Sequence, residues 1–442
     1  MLDESRRAGP TAIFRAGDST SVPPFSLIGG SMRRRVVVIG AGAAGTMAAI
    51  FAAQSGADTV LIERTRDGGR KILISGGGRC NILPARLDET RYITDSSSNT
   101  LRKILRAWPL AEQIAFFERE VGIPLEEETE SAKLFPVSHR ARDVRDGLLA
   151  LAERRGARLL MAARVSAIAM RGSVWEVSFD GAPAIEADAV VVATGGLSVP
   201  NTGSDGTGLR ILERLGHAVN PTYAALTPVL AEPAPFGDLS GVSLRVTLTA
   251  RSSERSASAT GGFLFTHRGY SGPSVLDVSH VVVRSRTDAL IPPATLSVQW
   301  TALGDSEWES LLAPSGARTV STATRTELPA RVADALLDAA KVDPTRRLAE
   351  LTRDERRRLI DVLVRGELPW TGDESYKKAE VTGGGVRLSE IDPRTMESRI
   401  HPGLFLCGEV LDAFGPIGGY NFLWAWVTGR AAGLASGKEA TA

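Results

Sequence analysis

The chain is poor in cysteine, histidine and aromatic residues, and it has no excess of either charge. Two cysteines, Cys80 and Cys407, in 442 residues cannot build a disulfide scaffold, so a reducing cytosol is the expected compartment. The five histidines are scattered without Cys, Asp or Glu at ligand spacing, and no metal site is expected. Lys and Arg number 52 against 51 Asp and Glu, a net charge of +1. Dedicated nucleic-acid binders usually carry a strong basic excess, so no nucleic-acid partner is expected. No uninterrupted apolar run approaches the roughly 18 residues that span a bilayer, and no membrane partner is expected either. What is present is a globular composition, 43% apolar and 23% charged. The length suits about two to three domains.

Residues 1–31 mix Gly, Pro, Ser, Asp and Arg with no sustained period. They are read as a disordered extension, or as a reading frame begun too far upstream. Phe25-Ser26-Leu27-Ile28 is too short and broken for the apolar region of a secretory signal.

Organised sequence begins at Arg35–Ile39 (RVVVI), a β-branched run expected of a strand buried on both faces of a parallel sheet. It enters Gly40-Ala41-Gly42-Ala43-Ala44-Gly45, then an Ala-rich helical stretch, then a second strand, Thr59–Ile62, ending in Glu63. Gly40 would make the tight turn, Gly42 would let the backbone approach a pyrophosphate, and Gly45 would let helix and strand pack closely. The pyrophosphate would rest on the helix N-terminus, where free N–H groups and the macrodipole favour negative charge. Glu63 stands where a carboxylate accepts hydrogen bonds from an unphosphorylated ribose, which points to FAD or NAD. Among 45 glycines chance matches to GxGxxG will occur, but here strand, glycines, helix, strand and acid follow in order.

Two further segments carry chemistry. Gly68 to Asn81 (GGRKILISGGGRCN) sets the glycines of Ser75–Gly78 beside Arg70, Lys71 and Arg79, a composition suited to an anion. Near the C-terminus, Cys407-Gly408-Glu409 follows a strand, and Gly418-Gly419-Tyr420-Asn421 opens a helix. Its N-terminal amides suit a flavin carbonyl, or the negative charge that develops on a reduced flavin. Ala187–Ala193, with Thr194 and Gly195 after it, reads as a strand returning the chain to the same cofactor. Gly203–Gly208 lacks a following βαβ unit and ribose acid, so no second nucleotide fold is expected.

GRKILISGGGRCN, FPVS (Phe135–Ser138), ATGGLSVPNTGSDGTG (Ala193–Gly208), LFTHRGYSGPSVL (Leu264–Leu276) and CGEVLDAFGPIGGYNFLWAW (Cys407–Trp426) together resemble the bacterial BaiN-type NAD(P)/FAD-dependent oxidoreductases. The resemblance covers residues 32–442. It implies an α/β fold with an FAD-binding Rossmann-like domain of the glutathione-reductase type, discontinuous in sequence. The expected division is 32–220 and 375–442 for that domain, with an inserted β-barrel-like and helical domain at 221–374. By motif, Ala43, Ala44, Arg64 and Arg70 would join Gly40, Gly42, Gly45 and Glu63 around the ADP half. Lys71, Ser75, Gly76, Gly77, Gly78, Arg79, Cys80 and Asn81 would follow the pyrophosphate, ribityl and ring. Arg164 and Val165 would meet the adenine, and Gly408, Glu409 and Gly418–Asn421 would close over the flavin. Two departures stand out: TGGGV at Thr382–Val386 where TAGGV is expected, and the N-terminal extension.

The resemblance implies hydride transfer through flavin N5 between transiently bound NAD(P)H and a small unsaturated or carbonyl substrate. An oxygen-using oxidase of the aminoacetone kind and a non-catalytic redox-sensing flavoprotein are the alternatives. Monomer and homo-oligomer both stay open. His267 and Tyr270, in a loop that the resemblance places near the flavin, are candidate proton donors. Cys80 is a third catalytic candidate, with a thiolate favoured by Arg79. Cys407 reads as core, and Arg356-Arg357-Arg358 as a solvated helix face.

Overall fold

The computed structural model describes residues 33–287 and 292–438, together with the backbone of Phe14–Arg15. Apart from that dipeptide, the expected disordered extension lies outside the described residues. The chain divides into two compact units, Met1–Pro221 with Gly384–Ala442, and Thr222–Gly383.

The first unit is built on a six-stranded parallel sheet. Its order is Phe14–Arg15, Arg158–Met161, Asp58–Ile62, Arg35–Ile39, Ala189–Val192, Leu404–Leu406. Val36, Val37, Val38 and Val190 are wholly buried, as continuous apolar runs covered on both faces must be. From Arg35–Ile39 the chain turns first to one side and later to the other. In open α/β sheets ligands bind in the crevice at such a reversal, outside the carboxyl ends of the strands. Gly40 follows directly from that end.

Helix Ala43–Gln54 is buried nearly all round and packs on helix Tyr420–Ser436. The contact is backbone on backbone. A Cβ at Gly429, Gly433 or Gly437 would come within 2.4, 2.3 or 2.7 Å of the carbonyl oxygens of Ala44, Ala48 and Ala52. The pairing runs parallel, with Gly429 level with Ala44. The C-terminal helix therefore begins about 13 Å beyond that level, at Tyr420. A small antiparallel sheet of Leu83–Pro84, Lys133–Pro136 and Leu125–Glu128 stands at this extended end, with Pro84 opposite Lys133.

The second unit has one seven-stranded sheet with Gly366–Glu367 and Gly372–Asp373 as its edges, rather than a closed barrel or a two-layer sandwich. A second sheet is not needed, because helices Pro273–Arg284, Ala330–Ala339 and Arg353–Arg365 bury Val278, Leu336, Leu359 and Leu363 with Leu248, Phe263 and Val298. The arginine run is more than a solvated face. Arg356 donates to Leu312 O (3.0 Å) and Arg358 to Ala340 O (3.2 Å), each a carbonyl at a helix C-terminus. The TGGGV departure also has a steric reason: a Cβ at Gly383 would lie 2.3 Å from the Tyr223 ring.

Candidate functional site

The three motif glycines do different work. Gly40 takes φ +103°, and a Cβ there would sit 2.6 Å from Ala193 O. A Cβ at Gly45 would sit 1.8 Å from Gly40 O, so an added methyl would force helix and turn apart. Gly42 is the exception: its φ of −81° suits any residue, and nothing lies within 4 Å of the place a Cβ would take. The fold itself requires Gly40 and Gly45, whereas Gly42 leaves open a space that the protein does not fill. Helix Ala43–Gln54 begins there with no side-chain cap and no acid in its first turn, so its N-terminal field is unopposed by its own residues.

Glu63 is 8% exposed. Its Oε2 accepts from Ala41 N (2.9 Å), and its Oε1 from Thr65 N and Thr65 Oγ1 (2.8 Å each). A carboxylate offers about four lone-pair positions, so capacity for a further donor remains. Ala163 N donates to Glu63 O (2.9 Å), which brings Arg164 and Val165 beside this strand end. Val165 is buried, while Arg164 is exposed and pairs with Asp180 at 3.6 Å. Arg64 is ion-paired with Asp205, and Arg70 with Asp67 at 2.7 Å. Gly195, at φ +74°, follows the strand Ala189–Val192, and a Cβ on it would meet Ser204 Oγ at 2.6 Å. Thr194 fills the space above Gly208, where a Cβ would come within 1.9 Å of its Oγ1.

The cationic segment folds as a short helix, Arg70–Ile74, and then a turn in which Gly76, Gly77, Gly78 and Cys80 all take positive φ (+55°, +67°, +86°, +62°). The three glycines are exposed. Lys71 reaches across the unit to Ser198 Oγ and Glu409 Oε2, both at 2.7 Å, and Ser198 donates to Glu409 Oε1 at 2.6 Å. Ser198 lies within the Ala193–Gly208 motif, but its partners Lys71 and Glu409 are distant in sequence, so spacing assigns it no role. Ser75 caps Ile72 O (2.7 Å).

Cys80 departs from expectation. Its side chain is wholly buried, and burial pushes the thiol up to about 12, against a smaller opposing effect of the Ser75 hydrogen bond. The Arg79 guanidinium is bonded to Glu128 (3.0 Å) and lies over the Phe135 ring (4.3 Å), so its charge is answered elsewhere. No thiolate is favoured at this position. Cys407 is also fully buried, with its thiol raised by burial alone.

At the other end of the crevice, Gly419 caps helix Tyr420–Ser436 with φ +87°, and that helix has neither a side-chain cap nor an acid in its first turn. A Cβ at Gly419 would lie 2.4 Å from the Leu83 carbonyl carbon. The Asn81 amide, oriented to its partners, accepts from Gly419 N (3.0 Å) and donates to Leu83 O (3.1 Å). Asn421 bonds Gly415 through both N and O, shaping the loop that carries Gly418 (φ +104°). Gly408 N donates to Thr428 Oγ1 (3.0 Å). Trp424 and Trp426 are both interior, donating to Gly408 O and Ile82 O, so neither edges the crevice. Lys133, a residue the sequence did not single out, runs alongside Gly418.

The remaining two candidates belong to the second unit. His267 is exposed in the turn between Ser256–Thr266 and Gly269–Ser271. Tyr270 is 1% exposed, donates to Pro369 O (3.1 Å), and has its hydroxyl raised by burial. Among the described residues no three His, Cys, Asp or Glu side chains gather to hold a metal ion, and no helix is long and apolar enough to cross a membrane.

Within the first unit, an open space at Gly42, a ribose-ready carboxylate and two uncapped helix starts offset by about 13 Å fit an elongated dinucleotide such as FAD. The HI0933-like protein Rossmann domain matches residues 34–435. The chain is 31% identical over 399 residues to a ribosomal RNA dihydrouridine synthase of Escherichia coli (strain K12), covering 88% of this chain and 94% of that protein. It is 28% identical over 415 residues to a 3-dehydro-bile acid delta(4,6)-reductase of Clostridium scindens, covering 92% and 99%. The fold is shared with a 3-ketosteroid delta1-dehydrogenase from Sterolibacterium denitrificans, with a TM-score of 0.50, 12% identity, and 91% and 99% of the two chains covered. The chain belongs to the HI0933-like family and is an FAD-dependent flavoprotein oxidoreductase.

Proposed function

We propose that this enzyme reduces a carbon–carbon double bond conjugated to a carbonyl, with NAD(P)H as the source of electrons. The observation that carries this reading is that two relatives named for different substrates share one chemistry. Making dihydrouridine saturates the ring bond conjugated to a uracil carbonyl. Reducing a 3-oxo bile acid at its delta(4,6) bonds saturates carbons conjugated to the 3-oxo group. Each adds a hydride at the electron-poor carbon and a proton at its neighbour. A uridine of ribosomal RNA is the leading substrate, because two relatives at 31% identity carry that name. A small unsaturated carbonyl compound is the second reading, favoured by a charge balance with no overall basic excess.

FAD, when bound, supplies hydride transfer at its N5. In this reading Gly42 and the N-terminus of Ala43–Gln54 receive the pyrophosphate, Glu63 orients the ribose, and Gly418–Asn421 receive the ring. Lys71, Ser198 and Glu409 fix the loop between these ends through their mutual hydrogen bonds. Among the described residues there is one strand–glycine–helix–strand–acid unit, so nicotinamide and substrate are expected to take turns at one flavin. Cys80, the proton-transfer candidate within the first unit, is wholly buried and is assigned no such role.

The test follows flavin absorbance without oxygen. NADH or NADPH should bleach the flavin, and ribosomal RNA from a strain lacking the gene should restore its colour and gain dihydrouridine by mass spectrometry. Restoration by an enone alone would favour the small-substrate reading. No bleaching by either nucleotide, with peroxide released when chemically reduced protein meets air, would replace the reductase with an oxidase.

A further inference from the structure

We infer that Lys133 holds a positive charge against the N1–C2 carbonyl edge of the flavin and so makes the cofactor easier to reduce. The inference rests on the reading of Gly418–Asn421 as the flavin end of the site.

Two contacts of its own, and one made by its strand partner, locate Lys133. It stands opposite Pro84 in the small antiparallel sheet. Gly419, the cap of the C-terminal helix, packs on Leu83 and Pro84, where a Cβ would come within 2.4 and 2.7 Å. The Lys133 side chain itself runs along Gly418, with Cε and Cγ at 3.6 and 3.8 Å from where a Cβ would be. The side chain is thus laid beside the start of a helix with no side-chain cap and no acid in its first turn. The positive end of the macrodipole and a lysine charge are of one sign, so both favour negative charge nearby.

The neighbouring charges leave Lys133 available. Glu128 faces it across the sheet and feels its charge, but that carboxylate is hydrogen-bonded to Arg79 (3.0 Å) and Ser131 Oγ (2.5 Å) rather than to Lys133. Among the described residues the Lys133 ammonium has no hydrogen bond or ion pair of its own. Arg79, Glu128 and Lys133 together carry a net charge of +1. Lys133 is half-buried, which leaves its field less screened than that of a fully exposed lysine. A flavin that gains an electron pair at N5 accumulates negative charge along N1–C2=O, and a cation there is one of the protein's levers on its potential.

The experiment uses the full-length, FAD-loaded protein and sulfite as the probe. Sulfite forms a bond from its sulfur to flavin N5 and leaves the added negative charge at N1–C2=O, without any reductant or substrate. Lys133→Met should bind sulfite about tenfold more weakly or worse and show a lower midpoint potential, with FAD content unchanged. Lys133→Arg should restore sulfite affinity to within about threefold of the parent. Unchanged sulfite affinity and potential in Lys133→Met would overturn the assignment. If Lys133→Met loses FAD, Lys133→Gln is titrated in its place, and loss of FAD from both overturns the tuning role in favour of a holding one. A parent protein that takes up no FAD would instead defeat the reading of the site. The titration does not depend on which substrate is reduced.

Discussion

Replacing Gly42 by valine separates a glycine kept for a ligand from one kept for the fold. On the protein side the substitution is nearly free of strain. Gly42 has φ −81° and ψ −169°, an extended conformation that a β-branched residue adopts readily, and nothing stands within 4 Å of the new Cβ. The remaining cost is a poorer N-cap, about 1 kcal/mol or less. On the ligand side, the isopropyl group fills the space assigned to the pyrophosphate. Overpacking of that size costs about 1–3 kcal/mol, a factor of about 5 to 150 in Kd. Gly45→Ala is the contrasting case, since its Cβ would collide with Gly40 O at 1.8 Å. The assay has two parts, urea unfolding of the apoprotein and FAD titration followed by flavin fluorescence. Gly42→Val should unfold like the parent and bind FAD at least about fivefold more weakly, whereas Gly45→Ala should lose stability before any cofactor is added. Parental FAD affinity in Gly42→Val, or an apoprotein weakened by several kcal/mol, would refute the reasoning.

Glu63→Ala strands the buried Ala41 N–H and two Thr65 donors, so apoprotein stability should fall by about 2–4 kcal/mol in urea, in addition to any loss of FAD affinity. A change in FAD binding alone would show that Glu63 is not part of the fold. Gly433→Ala places a methyl 2.3 Å from Ala48 O and should both lower Tm and reduce FAD content, because the two helix starts are held in register by this contact; a Tm equal to the parent's would contradict the close approach. His217 is buried against Ser398, Glu390 and His401, and burial, partly offset by Glu390, lowers its pKa below the ordinary 6.5. The unfolded chain then takes up the proton first, so the stability it contributes is complete above about pH 6.5 and is lost progressively as pH falls below that. Urea unfolding at several pH values should show this loss in the parent and less of it in His217→Gln; identical slopes would exclude His217 as the source.

The dinucleotide-binding unit was legible in the sequence because it is short and its physics is local. Arg35–Ile39, Gly40, Gly42, Gly45 and Glu63 carry their roles in their spacing. A turn needing positive φ, a helix that must touch a strand and an acid at a strand end all leave marks within about 30 residues. Contacts between distant parts of the chain left no such mark. Arg79 and Cys80 adjoin in sequence, yet folding gives the guanidinium to Glu128 and buries the thiol, so the expected thiolate has no basis. Trp426 lies in the helix that opens at Tyr420, yet its indole donates to Ile82 O, 344 positions away, which fixes it in the interior. Gly383 read as an unexplained departure, and Tyr223 supplies the reason. Arg356 and Arg358 looked like solvated charge and instead cap two helices. The sequence by itself determined which residues have the chemistry to meet a dinucleotide. The tertiary structure decided which of them remain free to do so, because burial and pairing depend on neighbours that the chain brings together only on folding.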